Sequence, residues 1–138
     1  MSMLSENEIT LVKNTWELIT PVSQQMGEQF YKHLFAEHPE LKILFKSHPK
    51  DQAMKLMFML SYVVHRLDKE NELREEIKKL AQRHNNYKAQ TEHYEIIGST
   101  LFWSLKNNLG NQWTRETEAA WKKAYRYIAD LMIEAQKG

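Results

Sequence analysis

Leu73, Ile77 and Leu80 recur at the i, i+4, i+7 spacing of a buried helical stripe, and the next step along that stripe lands on His84. The opposite face of the run from Asn71 to His84 is charged. This combination describes an amphipathic helix that aims an imidazole at the interior from its last turn. A chain that contains it must build a core wall opposite the stripe and must place something where the imidazole points.

The rest of the 138 residues follows the same helical period. Ser5 and Glu8 have the spacing of a capping box and open a helix with Ile9, Val12, Trp16 and Ile19 inward. Thr20-Pro21 is a second start, with threonine as cap and proline in the first helical position. From it runs a helix with Val22, Met26, Phe30 and Leu34 on one face. His38-Pro39 begins a short segment ending at Leu44-Phe45, and Lys46 to Lys50 reads as a loop. Pro49 or Asp51 starts a long helix with Met54, Met57, Ser61, Val64 and Leu67 on one stripe, and Asp68 to Asn71 is a polar connector. After the helix bearing His84, Asn85 to Gln90 reads as a loop. Thr91 caps a helix carrying Tyr94, Ile97, Leu101, Leu105 and Leu109, which Gly110 suits as a left-handed end. Thr114 caps the last helix, with Ala120, Trp121, Ala124, Tyr125, Ile128 and Leu131 or Met132 inward. The expectation is an all-α single domain over residues 1–138, with about seven or eight helices, two of them short.

Composition narrows the chemistry. The formal net charge of +1 offers no basic field for nucleic acid. The absence of cysteine excludes disulfides, thiol catalysis and cysteine-ligated metal centres. The first residues show no signal-peptide pattern, and the apolar run from Leu56 to Val64 is far short of the roughly 20 residues of a membrane span. A cytoplasmic protein without membrane contact is the default expectation.

Of the six histidines, His33 and His38 are five apart, a spacing that does not share a helix face. No Glu-x-x-His or His-x-x-x-His pair supports a di-iron or zinc site. His48 reads as a solvated loop residue, His65 as a surface or partly buried structural residue, and His93 as a capping or polar-surface residue. His84 remains. On periodicity alone, a lone histidine on an apolar face is more often a packed residue bonding a carbonyl than a ligand. Its one common use beyond packing, in an all-α domain without cysteine, is proximal ligation of a haem iron.

Several motifs in order now carry a resemblance: Phe30-Tyr31-Lys32-His33-Leu34-Phe35, His38-Pro39-Glu40-Leu41, Leu44-Phe45, Lys78-Lys79-Leu80-Ala81-Gln82-Arg83-His84, His93-Tyr94-Glu95-Ile96-Ile97-Gly98 and Ala120-Trp121-Lys122-Lys123-Ala124-Tyr125. The chain resembles the single-domain bacterial globins and the globin domains of flavohaemoglobins over roughly Glu8 to Met132. The resemblance implies a globin fold around haem b, with His84 as the iron ligand and Phe45 packed on the haem. It implies Tyr31 and Gln52 as polar groups on the distal side, Leu56 as the apolar roof, Tyr94 near the proximal histidine, and Arg83 as a propionate partner. It also implies reversible binding of oxygen or another diatomic gas at ferrous iron by a monomer or homodimer. An alternative is nitric oxide dioxygenation, for which a chain ending at Gly138 would need a separate reductase partner. A further alternative is a globin-fold sensor module without haem.

There is one departure from the pattern. The resemblance implies a glutamate behind the proximal histidine on the last helix, and that position falls on Gln136. Glu134 lies nearby but faces elsewhere on an ideal helix. A glutamine sets no full negative charge behind the imidazole, so weaker peroxidase-like activation is expected.

Overall fold

The structure, a computed structural model, describes residues 4–45, 48–85 and 91–137, and of residues 83–85, 91, 136 and 137 the backbone alone. Six α-helices carry the described chain: α1 (Glu6–Ile19), α2 (Ser23–Glu37), α3 (Pro49–His65), α4 (Glu70–Asn85), α5 (Thr91–Leu109) and α6 (Arg115–Lys137). Three short 3-10 segments, Thr20–Val22, Pro39–Leu44 and Gly110–Gln112, turn the chain between them. The described residues contain no strand.

Local chemistry sets the ends. The Ser5 hydroxyl accepts from the Glu8 backbone N–H at 3.1 Å, and the Glu8 carboxylate accepts from the Ser5 N–H at 2.8 Å. This capping box satisfies two of the donors that a helix start leaves unpaired. Thr114 caps α6 by accepting from the Thr117 N–H at 3.1 Å. Gly110 lies at φ 54°, the left-handed region in which a side chain is strained, and α5 ends there.

Packing follows the helical stripes. α2 lies against α3 and α5, while α1 and α4 lie against α6. Trp16 of α1 and Trp121 of α6 sit with ring centroids 6.0 Å apart, and the Trp121 indole N–H donates to the Thr15 hydroxyl at 2.8 Å. The Tyr127 hydroxyl donates to the Glu70 carboxylate at 2.8 Å and fastens α6 to the start of α4. Leu73, Ile77 and Ala81 of α4 are buried, so the stripe that leads to His84 faces the core.

Two inward assignments are corrected. Met54 is 61% exposed, with Ala53 buried in its place, while Met57 of the same stripe is buried as expected. The cause lies on α2: Gly27 has no side chain, and a Cβ there would come within 2.9 Å of the Ala53 Cβ. The two helices therefore meet backbone to backbone at Ala53, which turns the neighbouring Met54 outward. Val22, 37% exposed, falls in the 3-10 turn between α1 and α2 rather than on the α2 stripe.

Candidate functional site

α3, α4, α5 and α6 enclose an apolar cavity of about 130 Å³. Leu56 and Leu60 of α3, Leu80 of α4, and Tyr94, Ile97 and Leu101 of α5 form much of its wall. Leu56 and Tyr94, both expected at the site, are thus brought to one space. They belong there because inward residues of α3 and α5 recur every three to four positions.

A second cluster adjoins it. Tyr31 of α2 packs its ring edge-on against Phe30 at 4.9 Å and Phe45 at 5.3 Å, and Phe35 lies 5.7 Å from Phe45. Phe30 lines the cavity as well, so it joins the two. Aromatic pairs at these separations prefer such edge-on geometry. Phe45 is half-buried and closes the short segment after α2.

Tyr31 is 4% exposed. Burial raises the pKa of its hydroxyl well above the usual tyrosine value, so the group stays protonated and can donate. That hydroxyl makes no hydrogen bond to another described residue. Among the described residues, no fully buried side-chain nitrogen or oxygen lacks a partner. The Tyr31 oxygen therefore borders open space. Gln52, in the first turn of α3, is half-buried and lies one turn before Leu56.

Tyr125 supports the far wall. Its hydroxyl donates to the Tyr94 carbonyl at 2.5 Å, and burial, with Tyr94 beside it, raises its pKa. Its ring lies where a Cβ on residue 98 would stand, 2.7 Å away, which explains a glycine in the middle of α5. The side chains of Arg83 and His84, the segment 86–90 and the side chain of Gln136 lie outside the described residues. The backbone of α4 runs through His84 to Asn85. Glu134 is exposed.

His93 is a correction: it lines the cavity rather than serving as a surface cap. Stepping back by four from Leu101 through Ile97 lands on His93, the same arithmetic that singles out His84. His65 is a surface residue with its imidazole Nδ1 2.7 Å from the Ser61 carbonyl, and His48 caps α3 through its own Nδ1.

The site can be tested for a flat apolar cofactor. Its walls are mostly hydrocarbon, which suits such a group; Tyr31, Phe45 and Gln52 are not among the lining residues. Its volume is below the roughly 300–1,000 Å³ of ordinary ligand pockets. A macrocycle would therefore enter by spreading the half-buried wall residues Leu56, Leu60, Tyr94 and Ile97. By cavity energetics of about 24 cal/mol per Å³, an empty space of about 130 Å³ costs about 3 kcal/mol. The fit is thus one of lining chemistry, and the walls must move apart to admit the ring.

Six helices around an apolar cavity, with a tyrosine hydroxyl directed at open space, define an all-α haemoglobin-type fold. The chain belongs to the globin family, whose model matches residues 28–132. Among curated proteins it is 34% identical to the flavohemoprotein of Chromobacterium violaceum and 32% identical to that of Bacillus subtilis. These matches cover 99% and 98% of this chain, but only 34% and 35% of the relatives, so the chain spans about a third of their length. Among solved structures, a bacterial globin from Campylobacter jejuni superposes with a TM-score of 0.85 at 26% identity, over 96% of each chain. An engineered carbene transferase from Rhodothermus marinus, provisionally assigned as a nitric oxide dioxygenase, gives a TM-score of 0.88 at 27% identity, over 98% of this chain and 94% of its own.

Proposed function

We propose that this protein binds a haem, of the b type, and uses it to hold a diatomic gas reversibly. Bound haem would supply a ferrous iron with one coordination position for a protein ligand and one for the gas. His84 fits the first role, since it continues the sequence period of an α4 stripe whose Leu73, Ile77 and Ala81 are buried. Tyr31 is the observation that carries the reading. A hydroxyl on a buried ring, kept protonated by burial, bordering open space and without a described protein partner, is a donor open to an acceptor. A charge-assisted hydrogen bond from such a donor to a bound gas is worth about 1.5–3 kcal/mol.

The remaining residues serve the same task. Phe45 and Phe35 hold the Tyr31 ring in place. Leu56, on the cavity wall, would exclude water from a bound gas, which strengthens any hydrogen bond made inside. Gln52, one turn away, supplies a second donor amide. Tyr94, held at its carbonyl by Tyr125, is the candidate neighbour of the proximal ligand and lines the same cavity as Leu80 of α4. Arg83 is a candidate partner for a haem propionate.

A second reading is nitric oxide dioxygenation with electrons from a separate reductase. It is favoured by the likeness to flavohemoproteins and to the Rhodothermus marinus protein. An optical spectrum of the purified protein tests the common element: a Soret band is expected, and its absence after incubation with haemin refutes both readings. Sustained nitric oxide consumption with a generic reductase favours the second reading over simple gas holding.

A further inference from the structure

α3 has a second face that the cavity does not use. Asp51, Met54, Phe58, Tyr62 and His65 recur at steps of three and four residues, so they fall on one stripe of the helix. Met54 is 61% and Phe58 75% exposed, although both are large and apolar. Single apolar residues on a surface are ordinary, but two on adjacent turns, continued by the half-buried Tyr62, make a patch. The Arg66 guanidinium lies 3.5 Å over the Tyr62 ring and closes the stripe. Charge is divided between its ends. The N-terminal end carries Lys50 and Lys55 against Asp51. At the C-terminal end Glu17 approaches His65 at 3.5 Å and Glu72 approaches Arg66 at 4.0 Å, so two carboxylates stand against one permanent cation, Arg66.

A surface of this kind matches a second copy of itself. Run antiparallel about a two-fold axis at Phe58, α3 sets Phe58 against Phe58, Met54 against Tyr62 and Lys55 against Ser61, because the members of each pair lie equally far from the axis. Aromatic on aromatic and thioether on aromatic are both favourable contacts. The same arrangement brings the lysine end of one helix to the glutamate end of the other, and the opposed helix dipoles act in the same sense. A parallel arrangement would set like charges side by side. We propose that two copies of this chain associate through α3, two-fold and antiparallel, with Phe58 at the axis. The 17 residues of α3 make a helix about 25 Å long, so this contact alone falls short of the roughly 1,200 Å² of a stable interface and association is weak, in the micromolar range. The proposal does not depend on the haem reading, since Leu56 and Leu60 line the cavity from another side of α3.

Sedimentation of the whole chain between about 5 and 500 μM, a range that brackets weak association, tests this. A reversible monomer–dimer equilibrium is expected, and Phe58→Asp, which sets two carboxylates face to face, weakens it at least about 100-fold. Ile43→Ser, at a residue 76% exposed in the 3-10 segment before α3, leaves it unchanged. The chain has no cysteine, so introduced cysteines report the register. Phe58→Cys links to its own copy under mild oxidation, whereas Met54→Cys links to Tyr62→Cys in a mixture and much less to itself. These cysteine variants keep the test open if Phe58→Asp fails to fold. A chain that is monomeric throughout overturns the proposal, as does a dimer that Phe58→Asp leaves intact, or cross-linking that ignores the register. A monomer that sediments with phosphatidylglycerol vesicles and loses them on Phe58→Asp also overturns it, and assigns the stripe to a membrane surface.

Discussion

Tyr31→Phe separates function from stability in a way that few substitutions do. The change removes one oxygen from a ring packed against Phe30, Phe35 and Phe45 and leaves those contacts in place. The hydroxyl bonds to no described residue, so no protein hydrogen bond is lost. The oxygen borders open space, so its removal relieves little desolvation, and the apoprotein should stay within about 1 kcal/mol of the parent in urea denaturation. The gas-loaded protein behaves oppositely. A charge-assisted hydrogen bond is worth about 1.5–3 kcal/mol, and each 1.4 kcal/mol is a factor of ten, so oxygen should leave about 10- to 100-fold faster. Stopped-flow displacement of oxygen by carbon monoxide measures that rate. An unchanged off-rate would show that the hydroxyl does not face the gas. A loss of more than about 1.5 kcal/mol in the apoprotein would show that it has a protein partner instead. Either result refutes the reasoning that links Tyr31 to the ligand.

Three further outcomes are expected. Loading with haemin fills a cavity that costs about 3 kcal/mol when empty, so differential scanning calorimetry should show a melting temperature higher by several degrees, and no shift would mean that haemin binds elsewhere. Gly98→Ala places a methyl 2.7 Å from the Tyr125 ring; it should push the ring off the Tyr94 carbonyl and cost about 1–3 kcal/mol in urea titration, with Tyr125→Leu abolishing most of that penalty. Burial raises the pKa of both Tyr31 and Tyr125 above the usual value near 10, so the folded chain keeps protons that the unfolded chain releases. Stability is therefore complete below about pH 10 and is lost as pH climbs beyond it, a trend that denaturation midpoints between pH 8 and pH 11 will show or exclude.

Elements that depend on near neighbours were legible in the sequence. The Ser5–Glu8 box, the Thr114 cap and the left-handed Gly110 are decided within three or four residues, and all are found where the pattern puts them. So are the stripes of α1 and α4, because Trp16, Leu73 and Ile77 have one buried choice each. What could not be read locally depends on partners far along the chain. Met54 and Ala53 compete for the inward position on α3, and only the absence of a side chain at Gly27, on another helix, decides between them. The Trp121–Thr15 bond joins residues 106 apart, and the Tyr125–Tyr94 bond joins residues 31 apart. His93 did send a signal, its four-residue spacing with Ile97 and Leu101, but its place at a helix start also suits a cap. Which of the two prevails is settled by how α5 packs against α2, α1 and α6.

The contact between Gly27 and Ala53 has a mechanical consequence. Two backbones that touch cannot slide or separate without opening a gap along their whole seam, so this point acts as a pivot for α3. Gln52 is next to the pivot, whereas Leu60, Val64 and Leu67 lie progressively further from it along the cavity. A guest that pries the cavity apart therefore swings the far end of α3 most and the near end least. Widening of the cavity at the far end of α3 would then leave Gln52, beside the pivot, nearly in place.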